Sequence, residues 1–143
     1  MTVPPDLVHA SRDFDRLLED VRDQCMLQTR HQAYHTLRAV LHVLRNHLET
    51  ADVMALAGVL PPLASVVFLE GYHADNDVQP FGDPVVLSSE VAAIRKDHNL
   101  APHTAITDCA RVLRRHCDET RLDLALANLP KPVALFFDAE SVQ

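Results

Sequence analysis

Five side chains within one short stretch could do chemistry together: His31, His35, Arg38, His42 and Arg45, in the segment HQAYHTLRAVLH and just beyond it. At about 100° per residue they fall within about 80° of one another on a helix, so they form a candidate ligand-binding strip. Imidazoles at i and i+4 can clasp a metal ion. Here, however, the glutamate of the HExxH metalloprotease pattern is replaced by Gln32, and no cysteine or carboxylate stands beside the pair. The expectation is a solvated polar face with no metal; if one were held, His31 and His35 would hold it. Tyr34 is expected to pack at a helix boundary.

Two further histidines, His47 and His116, fall at the ends of long helical patterns. There they can cap carbonyls and meet the negative end of the helix dipole, as can Arg45 and Arg114. Asp97-His98 and Asp108 suggest a carboxylate–histidine pair, but no serine or cysteine at useful spacing completes a nucleophile set. No catalytic residue is assigned. The three glycines form no GxGxxG or GxxxxGK[ST] string, so no nucleotide cradle and no cofactor are expected. Cys109 and Cys117 lie about 12 Å apart along one helix, too far for a disulfide, and the three cysteines are expected to be buried free thiols.

The elements that position these groups are helical almost throughout. Phe14, Leu17, Leu18, Val21 and Cys25 make one helical stripe, begun by Ser11 or Asp13. Thr29 and Gln32 form a capping box that opens a long helix to about Leu48, with Ala33, Leu37, Val40, Leu41, Leu44 and Leu48 facing inward. Thr50 is expected to cap a short helix ended by Pro61, and Pro61 or Pro62 to start a fourth, running to about Tyr72. Residues 73–87 read as a linker loop, with helices resuming at Ser88. A helix after Leu100-Ala101-Pro102 carries Ile106, Cys109, Ala110, Leu113 and Cys117. Asp118 caps the next, with Leu122, Ala125, Leu126 and Leu129, and Pro130 or Pro132 starts the last, with Val133, Phe136 and Phe137. Residues 1–10 and 138–143 are expected to be loose.

The composition fits a folded chain: 143 residues, 48% hydrophobic and 23% charged. A formal charge of −7 repels phosphate backbones, so nucleic acid is not an expected partner. The N-terminal stretch lacks the basic and apolar regions of a secretory signal. The longest apolar run, Val53 to Leu69, is too short and too Pro-interrupted to span a membrane.

The two halves repeat. Val43-Leu44-Arg45-Asn46-His47 matches Val112-Leu113-Arg114-Arg115-His116 at an offset of 69, which also carries Leu60-Pro61 onto Leu129-Pro130. Leu27 matches Leu100 at an offset of 73, so the second helix of the first half is longer by about one turn, which preserves its buried face. Units this small are marginal alone and should pack together. The fold expectation is therefore all-α: about eight helices, a tandem repeat of two four-helix units, 11–72 and 88–137, packed into one helical body.

These stretches, namely Leu37 to Arg45, Val59-Leu60-Pro61-Pro62-Leu63, Leu69-Glu70-Gly71-Tyr72, Ala110 to Arg114 and Asn128-Leu129-Pro130, resemble the bacterial family catalogued as domain of unknown function 2267. The resemblance covers about residues 12 to 137. It implies an all-helical tandem repeat, bacterial and cytoplasmic, with no established activity. Where that family usually shows an aromatic pair and a tryptophan near the Glu-Gly step, this chain has Val66-Val67-Phe68 and Tyr72. The functional expectation is a non-enzymatic binding or protein-interaction module, with an unknown protein partner or self-association. The alternative is a small-ligand or metal-binding protein using the His/Arg strip.

Overall fold

The computed structural model describes residues 2–75, 77–94 and 104–137. Among them are nine α-helices and no strand: α1 Pro5–Val8, α2 Ala10–Gln24, α3 Arg30–Arg45, α4 Thr50–Ala57, α5 Pro62–Leu69, α6 Pro84–Ile94, α7 Ala105–His116, α8 Glu119–Ala127 and α9 Lys131–Phe137. The helix not expected from periodicity is α1, which buries none of its residues. The segments 95–103 and 138–143, including Asp97, His98 and the Leu100-Ala101-Pro102 start, lie outside the described residues.

Helices α3 and α7 form the centre. Each packs against α2 and α6 and against the other, while α5 lies on α3 and α9 on α7. The cause is the apolar stripe of each helix. Leu37, Leu41, Val112 and Leu113 are fully or almost fully buried, and Leu17, Val21, Leu56, Phe68, Leu87, Val91, Leu122 and Val133 close around them. A small apolar void of about 20 Å³ remains between the two central helices, lined among others by Val40, Leu44, Ile106, Leu113 and Phe136.

Local chemistry explains the element ends. Helix α2 stops where Met26 takes a left-handed φ of 55° and the Leu27 amide closes back on Arg22 O at 2.8 Å. The Thr29 hydroxyl then accepts from the Gln32 amide at 3.1 Å while the Gln32 side chain accepts from the Gln28 and Thr29 amides, so the capping box is formed. Helix α3 ends at Arg45 rather than Leu48. Residues 46–48 continue in a tighter turn, each amide bonding the carbonyl three residues back.

Further boundaries differ from the sequence expectation. Helix α2 opens at Ala10 after His9, so Ser11 and Asp13 lie inside it and neither caps it. Thr50 is the first residue of α4 and not its cap; its hydroxyl is taken by the Tyr72 phenol at 3.0 Å. Helix α5 stops at Leu69, three residues before Tyr72, because Glu70 leaves helical geometry and Gly71 takes a φ of 71°. Helix α6 begins at Pro84, not Ser88, because the Asp83 carboxylate accepts from the Val85 and Val86 amides at 2.9 and 3.1 Å. Asp118 caps α8 through the Arg121 amide at 3.0 Å, as its position predicts. Among the described residues no helix is long and apolar enough to cross a membrane.

Candidate functional site

The five residues of the strip lie on α3, but they do not form one exposed surface. At the N-terminal end His31 is exposed and His35 half-buried, with ring centroids 4.5 Å apart in an edge arrangement; Tyr34 meets His35 in a similar contact at 5.0 Å. At the C-terminal end His42 is buried and its Nε2 donates to Val67 O at 2.8 Å. Arg45 Nη1 donates to Phe68 O at 2.8 Å and to Glu70 O at 2.5 Å. Arg38 reaches the Glu70 carboxylate at 3.7 Å.

The polar face is buried here because of what α5 needs. Its last carbonyls have no partner within their own helix and carry the negative end of its dipole. Imidazole N–H and guanidinium groups from α3 supply the donors. Gly71, left-handed, lets the chain turn so that Glu70 O faces Arg45, whose Nη2 lies 4.0 Å from where a Cβ would stand. Burial lowers the pKa of His42 below the ordinary imidazole value, and the positive charges of Arg45 and Arg38 add to that; the Val67 bond and Glu70 oppose it. The Arg45 guanidinium also lies 5.8 Å from the centroid of the Tyr72 ring. Arg114 acts in the same manner on α9, donating from Nε to Phe137 O at 3.2 Å, and it pairs with Asp123 at 2.9 Å. The arginines do cap carbonyls, but those of a neighbouring helix and not of their own.

His47 and His116 also look outward from their helices. His47 is buried: Nδ1 donates to Gln79 O and Pro80 O, both at 3.0 Å, Nε2 lies 2.9 Å from Glu90 Oε2 on α6, and the ring stacks on Phe81 at 4.9 Å. His116 Nε2 lies 2.5 Å from Asp20 Oδ2 on α2. Neither carboxylate is marked by any sequence pattern around its histidine; the pairs are 43 and 96 residues apart.

Beside His116 a groove of about 510 Å³ opens at the corner between α7 and α8. Val59, Leu60, Pro61 and Pro62 give it an apolar wall. Arg16, Arg115 and Arg121 face Asp6, Asp13 and Asp118 around it, and Cys117 completes the lining. Arg121 ties this corner to the first half, donating to Gly58 O at 2.9 Å. No sequence signal foretold the groove, because its residues come from α1, α2, the α4–α5 connection, α7 and α8.

The remaining reactive groups are insulated. Cys117 has its pKa raised to about 11, chiefly by burial, with Asp118 adding and Arg114 opposing, so the thiolate nucleophile is scarce. Cys109 is raised too, first by its hydrogen bond with Cys25 and then by burial. All three cysteines are free thiols; Cys25 and Cys109 are buried as expected, but Cys117, just past the end of α7, is only half-buried because it lines the groove. Asp108 is buried and engaged by the Thr104 hydroxyl at 2.7 Å and by Gln24 Nε2 at 3.4 Å. Among the described residues no group of three or more His, Cys, Asp or Glu side chains could hold a metal ion.

Fold and site together define an all-helical protein whose polar side chains chiefly tie helices to one another and which, among the described residues, has an open groove at the α7–α8 corner. The chain belongs to the DUF2267 family, described as an uncharacterized conserved protein, whose model matches residues 14–136. No curated protein matches the chain.

Proposed function

We propose that this chain is a non-enzymatic binding module of the bacterial cytoplasm that takes a protein partner, built as a tandem repeat of two four-helix units. The observation that carries the binding role is the groove at the α7–α8 corner. It has ligand-pocket size, an apolar wall and charges of both signs, while Cys25, Cys109 and the Asp108 carboxylate are buried and the half-buried Cys117 thiol is held protonated. The repeat reading rests on paired contacts. Arg45 to Phe68 O and Arg114 to Phe137 O each span 23 residues, 69 apart in the chain. His47 pairs with a carboxylate on α6 and His116 with one on α2, so the long helix of each half holds the first long helix of the other.

The test is an affinity pull-down from the native host with the wild type and with Arg115→Glu, an exposed groove residue. A partner retained by the first and lost with the second supports the reading; no specific partner for either contradicts it. A second reading assigns a metal to His31 and His35, favoured by their 4.5 Å ring separation. Nickel at a hundredfold its dissociation constant would then add about 2.7 kcal/mol to stability, lost in His35→Ala. A melting temperature unmoved by nickel rejects it.

A further inference from the structure

We propose that the groove at the α7–α8 corner binds an extended peptide segment in which a proline precedes an aromatic residue, with acidic flanks. The inference rests on the binding-module reading and names the ligand of that same site.

The chain carries its own template for this contact. At the end of α3, the segment 77–83, Asp-Val-Gln-Pro-Phe-Gly-Asp, lies against the helix terminus. The Gln79 amide donates to Asn46 O at 2.9 Å. One residue on, His47 Nδ1 donates to Gln79 O and Pro80 O, and Phe81 stacks on the imidazole with an interplanar angle of 26°. A helix-end carbonyl, a ring N–H and an imidazole face thus read a peptide amide, two peptide carbonyls and an aromatic side chain. His47 is held for this by Glu90 on its other nitrogen.

The end of α7 presents the same groups. Arg115 and His116 correspond to Asn46 and His47 at the sequence offset of 69, although they lie in the last turn of α7 while Asn46 and His47 follow the end of α3. Asp20 holds His116 Nε2 as Glu90 holds that of His47. Among the described residues nothing bonds to His116 Nδ1, and no backbone amide beyond α7 itself bonds to Arg115 O. No described segment lies against this terminus as 77–83 does against the other; the groove is there instead, with Arg115 and His116 in its lining and the Val59–Pro62 wall for an aromatic ring. An extended peptide brings the amide and carbonyls that these groups lack, and a proline limits the conformational freedom lost on binding. The acidic flanks, Asp77 and Asp83 of the segment, suit Arg16 and Arg115; within this chain Asp83 is taken up in capping α6. Asp118, which caps α8, and Arg121, which donates to Gly58 O, are each engaged, so Arg16 and Arg115 are the arginines left to meet acidic flanks, beside Asp6 and Asp13.

The probe is the fluorescein-labelled heptapeptide of residues 77–83, titrated with the whole chain and followed by anisotropy. Saturable binding is expected, weakened at least tenfold by Arg115→Glu and at least tenfold when alanine replaces phenylalanine in the peptide. The peptide variant leaves the protein fold untouched; far-ultraviolet circular dichroism checks the protein variant. No saturation by about 1 mM, or binding indifferent to both changes, would overturn the proposal. Stabilisation by inorganic pyrophosphate that Arg115→Glu abolishes, with no peptide binding, would assign the groove to small anions and overturn it as well. A host partner retained equally by wild type and Arg115→Glu, with no peptide binding, sinks this inference but leaves the binding module standing. Peptide binding of the expected pattern supports the inference, and with it the binding role of the groove, whether or not a host partner is captured.

Discussion

Replacing Leu113 by alanine tests the core that α3 and α7 share. Leu113 is 1% exposed and lies beside the apolar void between the two helices. The substitution removes about three methylene-sized groups, or about 2.4 kcal/mol of transfer free energy at about 0.8 kcal/mol each. The void beside the site is only about 20 Å³, so neighbours have little room to collapse inward. A residual cavity of about 60 Å³ would add about 1.4 kcal/mol at about 24 cal/mol per Å³. The expected loss is therefore about 3 to 4 kcal/mol. Leu44, on the same void but 7% exposed, should lose somewhat less, and the double variant should depart from additivity because the two side chains share one cavity. Urea denaturation by circular dichroism reads this as a lower midpoint with an unchanged slope. A loss under about 1 kcal/mol at Leu113 would mean that the buried face of α7 has been misassigned.

Three further outcomes follow from single residues. Met26 is 89% exposed at a φ of 55°, so Met26→Gly removes left-handed strain without losing packing and should raise stability by up to about 1 kcal/mol; a fall in the urea midpoint refutes this. The Thr36 hydroxyl is fully buried with no partner among the described residues, so Thr36→Val should be neutral or stabilising by about 1 kcal/mol, and a clear loss would reveal a bond at that oxygen. His42 has a lowered pKa in the fold, so between that value and about 6.5 the unfolded chain binds the proton that the native state refuses. Its contribution to stability is present above about pH 6.5 and lost as pH falls. His42→Gln, which keeps a donor for Val67 O, should flatten the acid-side decline by at most about 1.4 kcal/mol per pH unit; an unchanged slope between pH 7 and 5 contradicts the assignment.

The elements were legible in the sequence because local rules decide them. The Thr29–Gln32 box, the Asp118 cap, the paired prolines before α5 and the 3.6-residue stripes each act within a few residues. The misread boundaries have two causes: Thr50 gives its hydroxyl to the distant Tyr72, whereas Asp83 before Pro84 caps α6 within three residues, a local signal that the linker reading passed over. The site was legible only in part. The period placed His42 and Arg45 on a polar face, but nothing local says that the C-terminus of α5 will lie across that face and draw the two into its carbonyls. The groove and the two histidine–carboxylate pairs join residues from distant helices, and a single chain of letters carries no signal for such pairs.

The central claim is that the α7–α8 corner is the surface this protein uses for binding. It is tested most directly by nuclear magnetic resonance of the ¹⁵N-labelled chain during titration with the 77–83 heptapeptide. The account predicts shifts concentrated at the amides of Val59, Leu60, Arg115, His116, Cys117 and Asp118, with those of His31 and His35 unmoved. Shifts centred on the His31–His35 end of α3, or none at saturating peptide, would contradict it.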